Sequence, residues 1–377
     1  MNSKTIVEVK RMLRAIYLLA GILLLFAGPC MSSVAVAQET SRSGEARQFF
    51  SVPTKAPSFP FSGTELTTSR GETLRYYTSD DSSAVKPLAL FIPGSGCNGA
   101  FASTSDGHHG GGPEMFALPF SKDVRLVVID SPGVAGRFAR TELQDCSLEF
   151  KHMETMQARQ SALNEVVQDL DSRGWVIKEH FMLVASSEGV PIATRFAAEH
   201  PQVSHLLLNS GFGVSQVYDS LHGALTGWGN WSFSANPSAS SKYVRGQAVL
   251  NQWSEIERNS KSVQEIAGHS AAYWRTIGMD SPADDVFATE ANLYVAQGAK
   301  DQSFAPGSFE AGLNELIAHR RPFVAEYFEC GDHLLICAAD GGEPKNLEGF
   351  IHRGITWFLS GKIDHDAAIS YGEKETR

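Results

Sequence analysis

Residues Phe181 to His200 read FMLVASSEGVPIATRFAAEH. Five apolar residues run into two serines, a glutamate and a glycine, and a pattern of helical spacing begins at once. A strand buried on both faces followed directly by a helix leaves no loop residues between them. At such a corner the backbone is crowded, and the positions two before and two after its apex must be small. Centred on Ser187 those neighbours are Ala185 and Gly189; centred on Ser186 they are Val184 and Glu188, which are too large. The spacing therefore selects Ser187 as a nucleophile candidate, its hydroxyl lifted above the sheet and facing the following helix N-terminus. The competing reading is a Ser-Ser helix N-cap, a role for which serine is well suited. Ser186 is expected to pack or hydrogen-bond beneath Ser187, and Glu188 to matter mainly through its backbone N–H.

Around this corner the chain alternates regularly. PLALFIP (Pro87 to Pro93), VRLVVID (Val124 to Asp130), FMLVAS, HLLLNS (His205 to Ser210), NLYVAQG (Asn292 to Gly298) and FVAEYFE (Phe323 to Glu329) are short apolar runs. Such runs fit strands covered on both faces, as in a parallel sheet. Helical spacing occupies Glu154 to Gly174, Gly307 to Arg320 and Asn346 to Leu359. The expected fold class is α/β, a doubly wound and mostly parallel sheet. One interval, roughly 211–291, lacks an apolar strand but carries Trp228, Trp231, Phe233, Trp253, Tyr273 and Trp274. It reads as a helical insertion whose aromatics mainly form its own core. Before the alternation lies a Ser/Thr/Pro/Gly-rich lead-in, 38–63, and after it a tail, 363–377.

A serine hydroxyl is a poor nucleophile until a base takes its proton. Of the 12 histidines, His333 in CGDHLL follows the strand FVAEYFE and so sits in a loop beyond a strand end. An acid must hold the imidazole tautomer. Asp301, just beyond NLYVAQG, is at the carboxyl end of a strand, where ligands bind in such sheets. Asp332 adjoins His333, but sequence neighbours rarely orient each other; Asp130 is read as capping the turn Ser131-Pro132-Gly133. Donors for an oxyanion would be the N–H of Glu188 and one from GSGCNGAF, at Ser95 or Cys97. His108 and His109 in DGHHGGGPE lack partners at ligand spacing. No metal and no organic cofactor is expected.

The N-terminus has its own logic. Lys4, Lys10, Arg11 and Arg14 precede the apolar run AIYLLAGILLLFAG, and Ala35-Val36-Ala37 follows it. This pattern reads as a secretory signal peptide over 1–37, with an uncleaved anchor or a lipid on Cys30 as weaker options. The expectation is an exported, periplasmic or secreted protein without stable membrane association after cleavage. The chain carries a net charge of −10 at pH 7, and losing this basic segment makes it more acidic. No basic stripe offsets that charge, so nucleic acid is an unsuitable partner. Cys97, Cys146, Cys330 and Cys337 remain beyond the signal, and an even number in an exported chain favours disulfides among three possible pairings.

Taken together, the elbow VASSEGV, the aspartate after NLYVAQG and the histidine after FVAEYFE resemble the α/β-hydrolase superfamily, whose chain order of nucleophile, acid and base they follow. The resemblance spans about 64–362, with the insertion lying where that family carries its cap. It implies a serine hydrolase that forms an acyl-enzyme on Ser187, Asp301 and His333, acting on a small-molecule acyl substrate, a carboxylic ester first. Peptidase, thioesterase, lactonase or acyltransferase chemistry on the same three residues is the alternative; a non-catalytic ligand binder is the rival of another class. The departures are Ala185 in place of glycine and a GSG loop without a preceding histidine. Within this frame the favoured bridges are Cys330 with Cys337, clamping the base, and Cys97 with Cys146, pinning the oxyanion loop.

Overall fold

The computed structural model describes residues 61–68, 72–80, 82–97, 99–100, 102–103, 109–110, 123–134, 146–229, 241–258, 265–266, 269–338, 341 and 345–372. All of them fall in the second of two compact units, 1–48 and 49–377. The signal-peptide reading, most of the lead-in and the His108–His109 side chains lie outside the described residues.

Nine strands form one sheet: β1 (Ser62–Thr67), β2 (Thr73–Thr78), β3 (Leu88–Ile92), β4 (Arg125–Ile129), β5 (Phe181–Ser186), β6 (His205–Asn209), β7 (Asn292–Gly298), β8 (Phe323–Phe328) and β9 (Ile369–Tyr371). Their spatial order is β1-β2-β4-β3-β5-β6-β7-β8-β9. The six apolar runs of the sequence are the six central strands, β3 to β8. They pair in parallel, so their carboxyl ends share one edge. β1, β2 and β9 join antiparallel. β9 corrects the reading of 363–377 as a tail: Ile369 and Ser370 pair with Ala325 and Val324. β1 likewise begins inside the segment read as lead-in.

Successive residues of each central strand enter opposite cores, as a two-residue period requires. Leu88, Leu90 and Ile92 of β3 and Leu183 and Ala185 of β5 face one core, which helices α2 (Met156–Ser172) and α3 (Gly189–Glu199) cover. Ala89, Phe91, Met182 and Val184 face the other, packed with Leu347, Phe350, Ile351 and Phe358 of helix α7 (Lys345–Ser360). The short helix α1 (Leu148–Met153) precedes α2, and Thr155 caps α2 by accepting from the N–H of Ala158.

The interval read as an insertion holds α4 (Gln216–Thr226) and α5 (Lys242–Arg258), then two short paired strands, Glu265–Ile266 and His269–Ser270. Tyr273 and Trp274 are fully buried there and Trp253 is partly so, but they join the core shared with β3, β5 and α3 rather than a separate one; Trp231 and Phe233 lie outside the described residues. α6 (Pro306–Ala318) then returns the chain between β7 and β8.

Candidate active site

Ser187 has φ +55°, in the left-handed region where a non-glycine residue is strained. Two close approaches hold it there. A Cβ on Gly189 would lie 2.4 Å from the carbonyl oxygen of Ile92, and one on Gly211 2.4 Å from that of Ser187. Only glycine fits either position, so the step from β5 to α3 is locked against the ends of β3 and β6. The N–H of Ser187 donates to Asn209 O at 2.9 Å. The N-cap alternative is not realised, since no side chain caps α3. Ser186 lies below the corner, its Oγ accepting from Asn209 Nδ2 at 3.2 Å. Among the described residues Ser187 Oγ has no hydrogen-bond partner, an open geometry common before substrate arrives.

Asp301 follows β7 and is 0% exposed. Its Oδ1 accepts from the N–H groups of Ser303 (2.7 Å) and Phe304 (2.9 Å), and its Oδ2 from Gln297 Nε2 (2.9 Å). His333 Nδ1 lies 3.0 Å and 2.9 Å from the two oxygens. A carboxylate can only accept, so Nδ1 carries the proton and Nε2 is the free base. Burial works against a charged imidazole, but the charge and hydrogen bond of Asp301, with Asp332 beyond, outweigh it and raise the His333 pKa above its usual 6.5. Asp332 does not orient the ring; its Oδ1 accepts from the N–H groups of Leu334 and Ile336 and shapes the loop.

The loop beyond β3 packs on the corner: a Cβ on Gly94 would lie 3.1 Å from Ser187 Cβ. Ser95 is next in the chain, while Cys97 is fixed further on by its bridge to Cys146, Cα–Cα 5.6 Å. Cys330 and Cys337 are bridged across the His333 loop, Cα–Cα 5.1 Å. Asp130 proves different from a turn cap. Its Oδ1 accepts from Ala100 N at 2.6 Å and its Oδ2 from Tyr77 OH at 3.3 Å, so it anchors the glycine loop.

Glu188 also departs from expectation. Its side chain is 3% exposed and turns inward to Arg159, Glu154, His269 and Tyr273. Burial above all holds its carboxyl above the usual range, with Arg159 opposing that effect. Glu154, Glu188 and His269 each offer an atom within 4.8 Å of the others, a spacing that suits a cation. Arg159 already brings a positive charge within 3.5 Å of Glu188, however, and His269 Nδ1 is engaged with Glu154 Oε1 at 2.7 Å. That occupied charge balance does not call for a metal. Gln297, Asn209, Arg159 and Asp219 were not singled out from sequence, because polar residues inside apolar or helical runs carry no distinguishing spacing.

No protein-family model matches the sequence, and no curated protein matches it. Among solved structures the chain is similar to a Mycobacterium tuberculosis puromycin-hydrolyzing peptidase, with 12% identity and TM-score 0.52, over 83% of this chain and 41% of that one. It is similar to the acylaminoacyl peptidase of Pyrococcus horikoshii, with 12% identity and TM-score 0.51, over 81% and 42%. A 2,6-dihydroxy-pseudo-oxynicotine hydrolase gives 16% identity and TM-score 0.51, over 82% and 71%. The chain spans less than half the length of the two peptidases. At such identities the likeness establishes the fold alone.

Proposed function

From its α/β-hydrolase fold and the groups on its carboxyl edge, we propose that this chain is a serine hydrolase that cleaves carboxylic esters through an acyl-enzyme. The observation that carries the reading is Ser187 at φ +55° on the same strand edge as the hydrogen-bonded pair of buried Asp301 and half-buried His333. In this mechanism Ser187 Oγ adds to the ester carbonyl carbon while its proton passes to His333 Nε2. The carbonyl oxygen, now an oxyanion, meets the N–H of Glu188 and a second donor of the Gly94–Cys97 loop, with Ser95 nearest the corner in sequence. Collapse breaks the bond to the alcohol oxygen, which takes the proton from His333. Water repeats the sequence in reverse roles and frees the acid. Asp301 orients the His333 ring and stabilises the imidazolium that forms at each step.

The two disulfides and the apolar N-terminal run support export to an oxidising compartment, periplasmic or extracellular. Among the described residues no helix is long and apolar enough to cross a membrane.

A fluorophosphonate probe tests the reading, since it phosphonylates only an activated serine. The wild type is expected to label and Ser187→Ala to remain unlabelled while folding normally. Labelling of neither chain would leave a ligand-binding protein as the better account. A panel of chromogenic esters of rising acyl length, run beside peptide substrates, then distinguishes ester cleavage from the peptidase alternative.

A further inference from the structure

Arg159 lies on α2 and is only 5% exposed. A buried guanidinium needs partners for its fork of donors, and the partners it takes belong to three different segments. Nη2 donates to the carbonyl oxygen of Pro93 at 3.2 Å and lies 3.5 Å from Glu188 Oε1. Nη1 donates to Ser131 Oγ. Pro93 ends β3 and directly precedes Gly94, the residue packed on Ser187. Ser131 follows Asp130, whose carboxylate holds Ala100 at the far end of the same loop. Glu188 supplies the N–H that follows the nucleophile.

We propose that Arg159 is a positioning residue, whose guanidinium sets the glycine loop against the Ser187–Glu188 corner so that both oxyanion donors meet one point. The inference rests on the hydrolase reading and adds to it a residue that touches neither substrate nor the reacting atoms. Geometry explains why arginine serves here. Three acceptors in three directions match a planar fork, whereas a lysine ammonium is a point charge on a flexible stem. The surrounding charges point the same way. Glu154 is engaged by His269 at 2.7 Å and by the N–H of Ser270 at 3.3 Å, which leaves Arg159 to Glu188. Glu188 Oε2 has no hydrogen-bond partner among the described residues, and Arg159 is the largest charge opposing the burial of that carboxyl, with His269 and Tyr273 adding smaller contributions. The insertion contributes as well, because its stacked His269 and Tyr273 rings both act on Glu188.

Loss of one oxyanion donor costs about 100- to 1,000-fold in kcat, and a loop displaced but not removed costs less. Arg159→Lys keeps the charge and loses the fork. Its kcat on a chromogenic ester is expected to fall about 10- to 100-fold, with KM within about threefold. Binding of a boronic acid, which mimics the tetrahedral intermediate, should weaken in step with kcat/KM. The variant can fail to fold, because a misplaced ammonium leaves Glu188 buried and poorly paired. Arg159→Gln combined with Glu188→Gln removes both charges, retains hydrogen-bonding groups, and is expected to show the same split. A folded variant of either kind with unchanged kcat, or with equal losses in ester KM and boronate affinity at constant kcat, would overturn the proposal. Fluorophosphonate labelling of the wild type keeps the two levels apart. If the wild type does not label, the hydrolase reading and this proposal fall together; if it labels and the folded variants keep kcat, this proposal alone is lost.

Discussion

At the scale of single residues, the site is built from backbone constraint as much as from reactive groups. Ser187 is held at positive φ because Gly189 and Gly211 allow neighbouring carbonyls within distances no Cβ would tolerate. Steric size was therefore readable in the sequence, and it chose Ser187 over Ser186. Proton chemistry was readable only in outline. His333 and Asp301 were placed by their positions after strands, but the donors that fix the Asp301 carboxyl, Gln297 and two backbone N–H groups, came from the folded loop. Asp219 adds a contrast. It is fully buried on α4 and accepts from Ala305 N at 3.2 Å; burial above all, with Asp301 nearby, pushes its carboxyl well above the usual range. Because the base must be neutral and its pKa is raised, kcat/KM on an ester should climb with pH through a value above 6.5. Asp301→Asn removes the interaction that raises it, so the limb should move to lower pH and kcat should fall on the order of ten-thousandfold. A wild-type limb at or below 6.5 would show that Asp301 does not raise the pKa of the base. The stability contribution runs the other way: the His333⁺–Asp301 pair is complete below the unfolded pKa and is lost as pH rises through the folded one.

At the scale of elements, each reactive group is carried by a short segment that something else holds still. The His333 loop shows this most fully. Its ends are bridged by Cys330 and Cys337, Gly331 pairs with Cys337, and Asn346 of α7 donates to Leu335 O at 3.1 Å. The Cys97–Cys146 bridge packs with Phe150 of α1. The bridges close segments of very different length, with sequence separations of 7 and 49. Loop-closure entropy then gives about 2.5 kcal/mol for the first and about 4 kcal/mol for the second. Chemical denaturation of Cys330→Ser/Cys337→Ser and of Cys97→Ser/Cys146→Ser checks that ranking; the reverse order would rule out chain entropy as the main contribution. The even cysteine count pointed to bridges, but the pairing was favoured only within the fold resemblance. The three helices read from spacing correspond to α2, α6 and α7, because their apolar faces repeat at 3.6 residues. Short β9 escaped notice, since three residues, two exposed and one half-buried, carry no pattern of their own.

At the scale of the whole molecule, one twisted sheet brings distant segments to a common edge and leaves its own borders to be protected. β9 covers the outer side of β8, and Phe323 stacks on Tyr371 across that pairing. Truncation after Gly361 should uncover the β8 edge, lower the melting temperature and promote aggregation, measured by thermal melts and light scattering. An unchanged melt would show that the antiparallel strand is dispensable. By itself the sequence determined the layered α/β architecture, the six buried strands and the serine at the corner. Each follows from local rules: two-sided burial, helical period and the small residues a tight corner requires. Only the tertiary structure decided which distant groups share a site. Pro93, Ser131, Arg159 and Glu188 lie on four segments, and no periodicity links them. Their meeting is a property of strand order, in which β3 and β5 lie side by side although the 88 residues 93–180 intervene in the sequence.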